Sequence, residues 1–411
     1  MPFPPRTASP RHRPGPVRPT AGGIRVDRTA PARAVPVPFQ RVPPEPPFSL
    51  STPFAAGRVG PSAGVFRRTL STVRRPLVAL LAGASLAFAA TAADRPDGPE
   101  PLRLGLHRAA QPEHGGLYQG VVEGHYRACG LDVEIVPGGP GVDHRASLLA
   151  GTVDVHVGAS LLGALLAVEQ GLPVRVVSAS FQKDPLALVA HPDSEFEEWN
   201  DLLGAERYLL SDAAFRTYFR WMVADHGFDA SRRAPLDAEA AASFLTDPRA
   251  VRQGYATSDA FEIERALGRA PEVFLFAENG LDGYAMTTEV LGRTLDERPE
   301  AIRCLVEATA RGWEGYLHGD NARANAAIRA ASSDVTDERI AFAIDRLKAH
   351  GIVEGGDAAL RGIGAMRAER VRAFHDAMVD AGVLSEALDV ERAYTLEYLD
   401  GGVRPDPEAR P

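Results

Sequence analysis

The stretch GLYQGVVEGHYRACGLDVEIVPGGPG, residues 116–141, runs a helical pattern straight into a strand and then into a glycine-proline loop. Leu117, Val121 and Val122 share one helical face, and Gly130 stands where a helix ends. Leu131–Val136 then alternates with period two, as a half-buried strand does. This is one step of a strand–helix alternation. Before it, Leu102–His107 reads as a strand and His114–Gly130 as a helix. After it come a short helix at Asp143–Ala150, a strand at Val153–Gly158, a helix at Ser160–Gln170 and a strand at Val174–Ser180. Strands separated by helices predict an α/β fold with a mainly parallel sheet covered on both faces.

In such sheets ligands gather beyond the carboxyl ends of the strands. Those ends are the loops RAAQPEHGG, PGGPG, GAS and SFQKD. Gly115-Gly116 is expected to present helix-start N–H groups to a crevice, with PGGPG shaping its rim. PGGPG is no phosphate loop, because it lacks the lysine and Pro140 removes a donor.

A second unit follows AHPDSEFEEWNDLLG, after Gly204. Arg207–Leu210 reads as a strand, and Ser211-Asp212 opens a helix carrying Phe215, Tyr218, Phe219 and Trp221. Each of these aromatics is expected in the core, the alternative being that one or two line a crevice and stack on a flat ligand. The QGYAT segment is strand-like, Ser258-Asp259 starts a helix, and Val273–Gly280 reads as a strand returning to the first unit. Helices are expected near 298–317, 321–330, 337–349 and 367–381, packed on the first lobe.

The 411 residues allow two or three domains, and their charge is uneven. Residues 1–93 carry a formal +11 and the remainder −20. An acidic body argues against a nucleic-acid partner, since phosphate neutralisation needs clustered cations. Residues 1–72, rich in proline and arginine, bury too little to offset ordering and are expected to be disordered. Residues 73–92 have the layout of a signal peptide: Arg74-Arg75-Pro76, 14 apolar or small residues at Leu77–Ala90, then Ala90-Thr91-Ala92. Such a leader belongs at a beginning, so the true start is expected downstream of Met1, near Val65 or Val73. No cysteine follows the run to carry a lipid.

Cys129 and Cys304 are the only cysteines, and both lie in apolar helical contexts. Buried free thiols are expected, with a single disulfide as the alternative. His107, His114, His125, His144 and His156 have no metal-site spacing and read as structural, so no metal and no cofactor are expected. No H-E-x-x-H or G-x-S-x-G occurs, and no catalytic residue is assigned.

Several segments in order resemble one family. They are His114-Gly115-Gly116-Leu117-Tyr118-Gln119-Gly120, Gly124-His125-Tyr126, Gly130-Leu131-Asp132-Val133 and Gly151-Thr152-Val153-Asp154. Glu169–Val174, Phe181-Gln182-Lys183-Asp184-Pro185, Gln253–Asp259, Gly312-Trp313 and Tyr394–Leu399 continue the series. Over about residues 101–400 the chain resembles substrate-binding proteins of ABC importers, in the sulfonate, nitrate and thiamine-pyrimidine-precursor branch. The resemblance implies a two-lobed periplasmic-binding fold of type II-like build, a periplasmic location, a small-molecule ligand between the lobes and delivery to an importer permease. A monomer is expected. Lobe one is placed at 101–195, lobe two at 205–278, and the return to lobe one with the C-terminal helices at 279–400.

The chain departs from the family at Ser258-Asp259-Ala260, where relatives often carry Ser-Glu-Pro. Arg108-Ala109-Ala110-Gln111 stands where pyrimidine binders often have tryptophan-asparagine. The cysteine-rich iron motif of the related fungal pyrimidine synthase is absent, which sets the enzyme reading, with Asp259 or Asp184 as base, behind the receptor. Candidate ligand contacts are Gln111, Tyr118, Ser160 and Gln182 from lobe one, Ser211, Tyr218, Tyr255 and Ser258 from lobe two, and Tyr284 near the return crossing. Aromatic and amide groups prevail there, favouring a planar heteroaromatic solute, a pyrimidine precursor or flavin-like compound. Lys183 and Arg216 keep a sulfonate, nitrate or other small anion as the alternative.

Overall fold

The computed structural model of the protein describes residues 98–399; the proline-arginine segment and the leader lie outside them. The strands in chain order are β1 (Glu100–Leu106), β2 (Leu131–Val136), β3 (Val155–Ser160), β4 (Val174–Phe181) and β5 (Leu186–Ala190). They continue as β6 (Arg207–Leu210), β7 (Arg233–Pro235), β8 (Ala250–Tyr255), β9 (Glu272–Leu275) and β10 (Ala285–Leu291). Two five-stranded sheets result, ordered β2-β1-β3-β10-β4 and β7-β6-β8-β5-β9. The protein is a two-lobed α/β fold.

In each sheet four strands share a direction and one is reversed: β10 in the first, β5 in the second. The reversed strand is each time the one the chain enters directly after crossing between sheets. No α-helix intervenes to turn the chain round, so it arrives antiparallel. The strand Leu186–Ala190 falls inside the stretch 101–195 expected for lobe one, yet it pairs with β8 and β9 in the second sheet. All five of its residues are buried. The first crossing is therefore Gln182–Pro185, where Pro185 has no N–H to continue a ladder. The second crossing joins β9 to β10, and the salt bridge Lys183–Glu278 (2.9 Å) ties the two together.

Of the helices that position the site, α1 is Gly115–Val122, α2 Leu161–Glu169, α3 Tyr218–His226 and α4 Asp259–Leu267. The long helix α5 is Pro299–His318, α6 is Asp337–Ala349 and α7 is Ala368–Asp380. The single helix expected over His114–Gly130 is broken. Gly124 adopts φ 75°, a left-handed conformation that ends α1, and one further turn follows at His125–Ala128. The aromatic helix is likewise split at Thr217 into Asp212–Arg216 and α3.

Gly115 and Gly116 do not face a crevice. A Cβ on Gly116 would come within 2.3 Å of the Trp313 ring, and one on Gly312 within 2.1 Å of the Gly116 carbonyl. The glycines serve the close crossing of α1 over α5, where Trp313 and Tyr316 are fully buried. Cys129 and Cys304 form a disulfide across 175 residues, with Cα atoms 5.7 Å apart, and are not free thiols. The bridge pins the turn before β2 to α5. Local sequence could not show it, because the partners meet only through the tertiary fold.

The largest apolar cluster runs through both lobes. It joins Leu161, Leu165 and Val176 of the first to Leu188, Tyr208 and Trp221 of the second, with Phe374 and Met378 of α7 between them. The last helix is thus a wedge between lobes and not a cap on lobe one alone. Burying Phe374 and Met378 there contributes about 1.5–3 kcal/mol each. Gly283 allows the fit, since a Cβ at that position would lie 2.5 Å from the Phe374 ring.

Candidate functional site

The carboxyl ends of β1, β3 and β4 face the second lobe across a seam. Contacts close it on several sides, with Phe261 against Phe342 and Arg339 paired with Glu262 at one rim. Tyr218 donates its hydroxyl hydrogen to Ser160 Oγ (3.0 Å), Thr257 donates to Glu113 Oε1 (2.7 Å), and the Arg108 guanidinium lies 5.4 Å from the centre of the Tyr255 ring. Two small cavities remain between the lobes. Ser160, Asp184, Tyr218, Phe276, Tyr284 and Phe374 border one; His107, Arg108, Glu113, Phe181, Tyr255 and Met286 border the other. Each has a volume of about 10 Å³, room for about one water.

The expected residues divide into three groups. Ser160, Tyr218, Tyr255 and the ring of Tyr284 reach the cavities. Gln182 and Ser211 are occupied elsewhere. Gln182 is fully buried and its amide donates to the carbonyls of Ala179 (3.3 Å) and Ala365 (3.0 Å). Ser211 donates to Gln253 Oε1 (2.9 Å) and caps the following helix at Ala214 N. Gln111, Tyr118 and Ser258 are buried near the seam without bordering either cavity. The Gln111 Oε1 and Tyr118 hydroxyl have no partner among the described residues. Burial pushes Tyr118 up to about 12.

Gln182 and the Tyr284 hydroxyl belong to a second polar cluster on the hinge side of the seam. Tyr284 donates to Asp357 Oδ2 (2.5 Å), and Arg370 reaches the same oxygen (3.1 Å). Arg370 also pairs with Asp282 (2.7 Å), donates to the Gln182 carbonyl, and lies 4.2 Å from the centre of the Tyr284 ring. Burial works against the Asp357 carboxylate, but hydrogen bonds from Tyr284 and Arg370 hold it below its ordinary range.

On the cleft side, Glu113 joins the structural histidines His107 and His114 and the acid Asp184. Glu113 is 3% exposed; one oxygen takes the Thr257 hydroxyl and the other has no partner among the described residues. His107 and His114 pack edge to face, with ring centres 5.3 Å apart. Burial, then Arg108, lowers His107 to about 3, and burial, then His107, lowers His114 as well. Both are neutral at pH 7. The Nδ1 of His114 accepts from the Gln111 N–H (3.1 Å), so its Nε2 carries the proton, and that atom has no partner. Burial lifts Asp184 to about 7 against the bond its carboxylate takes from Leu186 N–H (3.0 Å). Burial and then Asp184 push Tyr218 and Tyr255 up. Gly138 of PGGPG backs the Arg108 backbone, its N–H bonding to the Arg108 carbonyl (3.0 Å).

The two cations weighed for an anion are engaged or exposed. Lys183 pairs with Glu278, and Arg216 points to solvent. Asp259 is not a free base, because Arg252 (2.7 Å) and the Tyr255 N–H (2.8 Å) hold its oxygens. No group of three metal-ligating side chains occurs among the described residues. Met286 has φ 49°, the sole left-handed non-glycine among them, a conformation costing roughly 1–2 kcal/mol.

Solved structures share this architecture. The periplasmic aliphatic sulphonate binding protein SsuA from Escherichia coli superposes with a TM-score of 0.53 at 13% identity, over 72% of this chain and 92% of that one. The alkanesulfonate-binding protein SsuA from Xanthomonas axonopodis pv. citri bound to MOPS gives 0.52 at 15%, over 73% and 99%. The ligand binding component of an ABC-type import system from Staphylococcus aureus gives 0.54 at 9%, over 74% and 99%. The fold is that of the periplasmic binding proteins. Residues 111–322 match the NMT1/THI5-like family, and the chain belongs to it. Riboflavin-binding protein RibY from Chloroflexus aurantiacus is 24% identical over 339 residues, covering 77% of this chain and 92% of the relative.

Proposed function

We propose that the protein is an exported solute-binding receptor of an ABC importer. It takes a small planar heteroaromatic solute between its lobes and hands it to a permease. The observation that carries this reading is the composition of the seam. Two lobe-two phenols, Tyr218 and Tyr255, face lobe one, where Glu113 keeps an unpartnered carboxylate oxygen and Arg108 supplies one cation. Flat rings match the phenols by stacking. A mixed donor-and-acceptor edge matches a carboxylate and a guanidinium together better than an anion does. The likeness to a riboflavin-binding relative and to other binding proteins supports the receptor class.

The shut seam has room for about one water in each cavity, so a solute enters only when the lobes part. The Tyr218–Ser160 and Thr257–Glu113 bonds then exchange for bonds to the solute. Periplasmic residence as a monomer and release to the permease follow from this class.

Thermal shift against a solute panel is the test. Riboflavin or a hydroxymethylpyrimidine at 100 times its dissociation constant adds about 2.7 kcal/mol of stability, while nitrate and an alkanesulfonate add none. A shift with the anions alone replaces this reading with the anion receptor, for which Arg108 is the available cation. Mass spectrometry of the recovered solute separates receptor from enzyme, since a receptor returns it unchanged.

A further inference from the structure

Met286 stands opposite Ala159 in the pairing of β10 with β3, between the paired positions Ala285↔Ser160 and Thr287↔Gly158. Its left-handed backbone takes the side chain out of the regular pleat, and Met286 borders the cavity shared with Arg108, Glu113 and Tyr255. Glycine would hold this backbone without steric cost. The chain carries a long side chain there against strain, and strain of this kind gathers at ligand clamps. Methionine is also the most adaptable apolar side chain, with a polarisable sulfur that rests well against aromatic rings.

The geometry points to Met286 as a specificity-determining residue. It is the lobe-one face of a slot whose lobe-two face is Tyr255, with Arg108 and Glu113 at the edges. The slot selects a flat aromatic ring system that presents an acceptor to Arg108 and an N–H or O–H to Glu113. This rests on the receptor reading above. On closure, the solute's ring displaces the Arg108 guanidinium from the Tyr255 face and lies between phenol and thioether.

The test uses Met286→Ala, Met286→Gly and Met286→Leu with riboflavin and a hydroxymethylpyrimidine as probes. Flavin fluorescence quenching and calorimetry read affinity, and melting of the empty protein reads strain. The Ala and Gly variants are expected to bind the recognised probe at least tenfold more weakly than wild type. The Gly variant is expected to melt above the Ala variant by about 1–3 °C, the reverse of the ordinary order within a strand. Unchanged affinity in both variants overturns the inference and leaves the receptor reading standing. If neither folds, the Leu variant decides: at least threefold weaker binding with unchanged melting supports the slot, and unchanged binding overturns it. Wild-type protein that binds neither probe defeats the planar-solute reading itself, and the slot with it.

Discussion

On the hinge side of the interlobe seam, Gln182, Tyr284, Asp357 and Arg370 each meet a partner inside the protein, backed by Phe374 and Met378. On the cleft side, in the segment after β1, Glu113, His107, His114 and Gln111 each leave a buried polar atom without one among the described residues. The named polar groups are satisfied in one half and left open in the other. A buried unsatisfied group costs about 1–3 kcal/mol, so the open half is costly to keep shut while empty. On the proposed reading, the difference separates the half that holds the lobes together from the half that takes the solute.

The largest expected effect breaks the closed half. Arg370→Ala removes a buried guanidinium from Asp357, Asp282 and the Gln182 carbonyl at once. It is expected to lower unfolding free energy by about 3–5 kcal/mol in denaturant melts. Arg370→Lys recovers only part, because an ammonium cannot fork to several acceptors. A loss below about 1 kcal/mol would place this cluster with ordinary surface pairs.

A control lies away from both halves. Replacing Cys129 and Cys304 by serine opens a link spanning 175 residues and is expected to cost about 2–5 kcal/mol. Solute affinity stays unchanged, which separates global stability from the seam.

Asp184 sharpens the comparison through pH. Its carboxyl lies near 7 in the shut form and near ~3.9 in an unfolded chain. A carboxyl with its affinity for protons raised by burial favours the folded, shut form fully below about pH 4. That advantage drains away as pH climbs to about 7. The Asp184 contribution to melting temperature is therefore expected to fall across this window, against the opposite trend from the buried neutral His107 and His114, and Asp184→Asn removes that contribution. A wild-type profile unchanged by the substitution would remove Asp184 from the account.

The smallest effect belongs to Thr257→Val, which takes one donor from Glu113. It is expected to weaken the empty shut form by about 1–2 kcal/mol, visible as faster hydrogen exchange in the β8–α4 loop.

Much of the fold was legible from periodicity. Expected helices at 298–317, 321–330 and 337–349 meet Pro299–His318, Ala322–Ala331 and Asp337–Ala349. Strands β2 and β6 fall where alternation and apolar runs put them. What escaped were the reversed strands β5 and β10, whose apolar runs carry no sign of which sheet they join. The site was legible only by its loops. RAAQPEHGG stands out as a strand-end loop, but its sequence does not tell Gln111 from Glu113 and Arg108 as the residue facing the seam. Burial, which decides between them, is a tertiary property. Gln182 and Tyr284 were drawn to the site because they sit at crossings. Their polar groups are taken by Asp357, Ala365 and Arg370, from more than 70 residues further along the chain.

The wedge formed by α7 has a consequence for the order of assembly. The groups that fix one lobe against the other, Asp357, Arg370, Phe374 and Met378, come after both sheets are fully encoded. During synthesis the two sheets can close their own ladders before the α7 wedge is in place. Contacts so distant in sequence form slowly, because a long loop must be closed first. The ties added by α7 are therefore among the last this chain acquires, and a chain stopped before Ala368 would hold its lobes by the Lys183–Glu278, Tyr218–Ser160 and Thr257–Glu113 contacts without the Arg370 and Phe374 wedge.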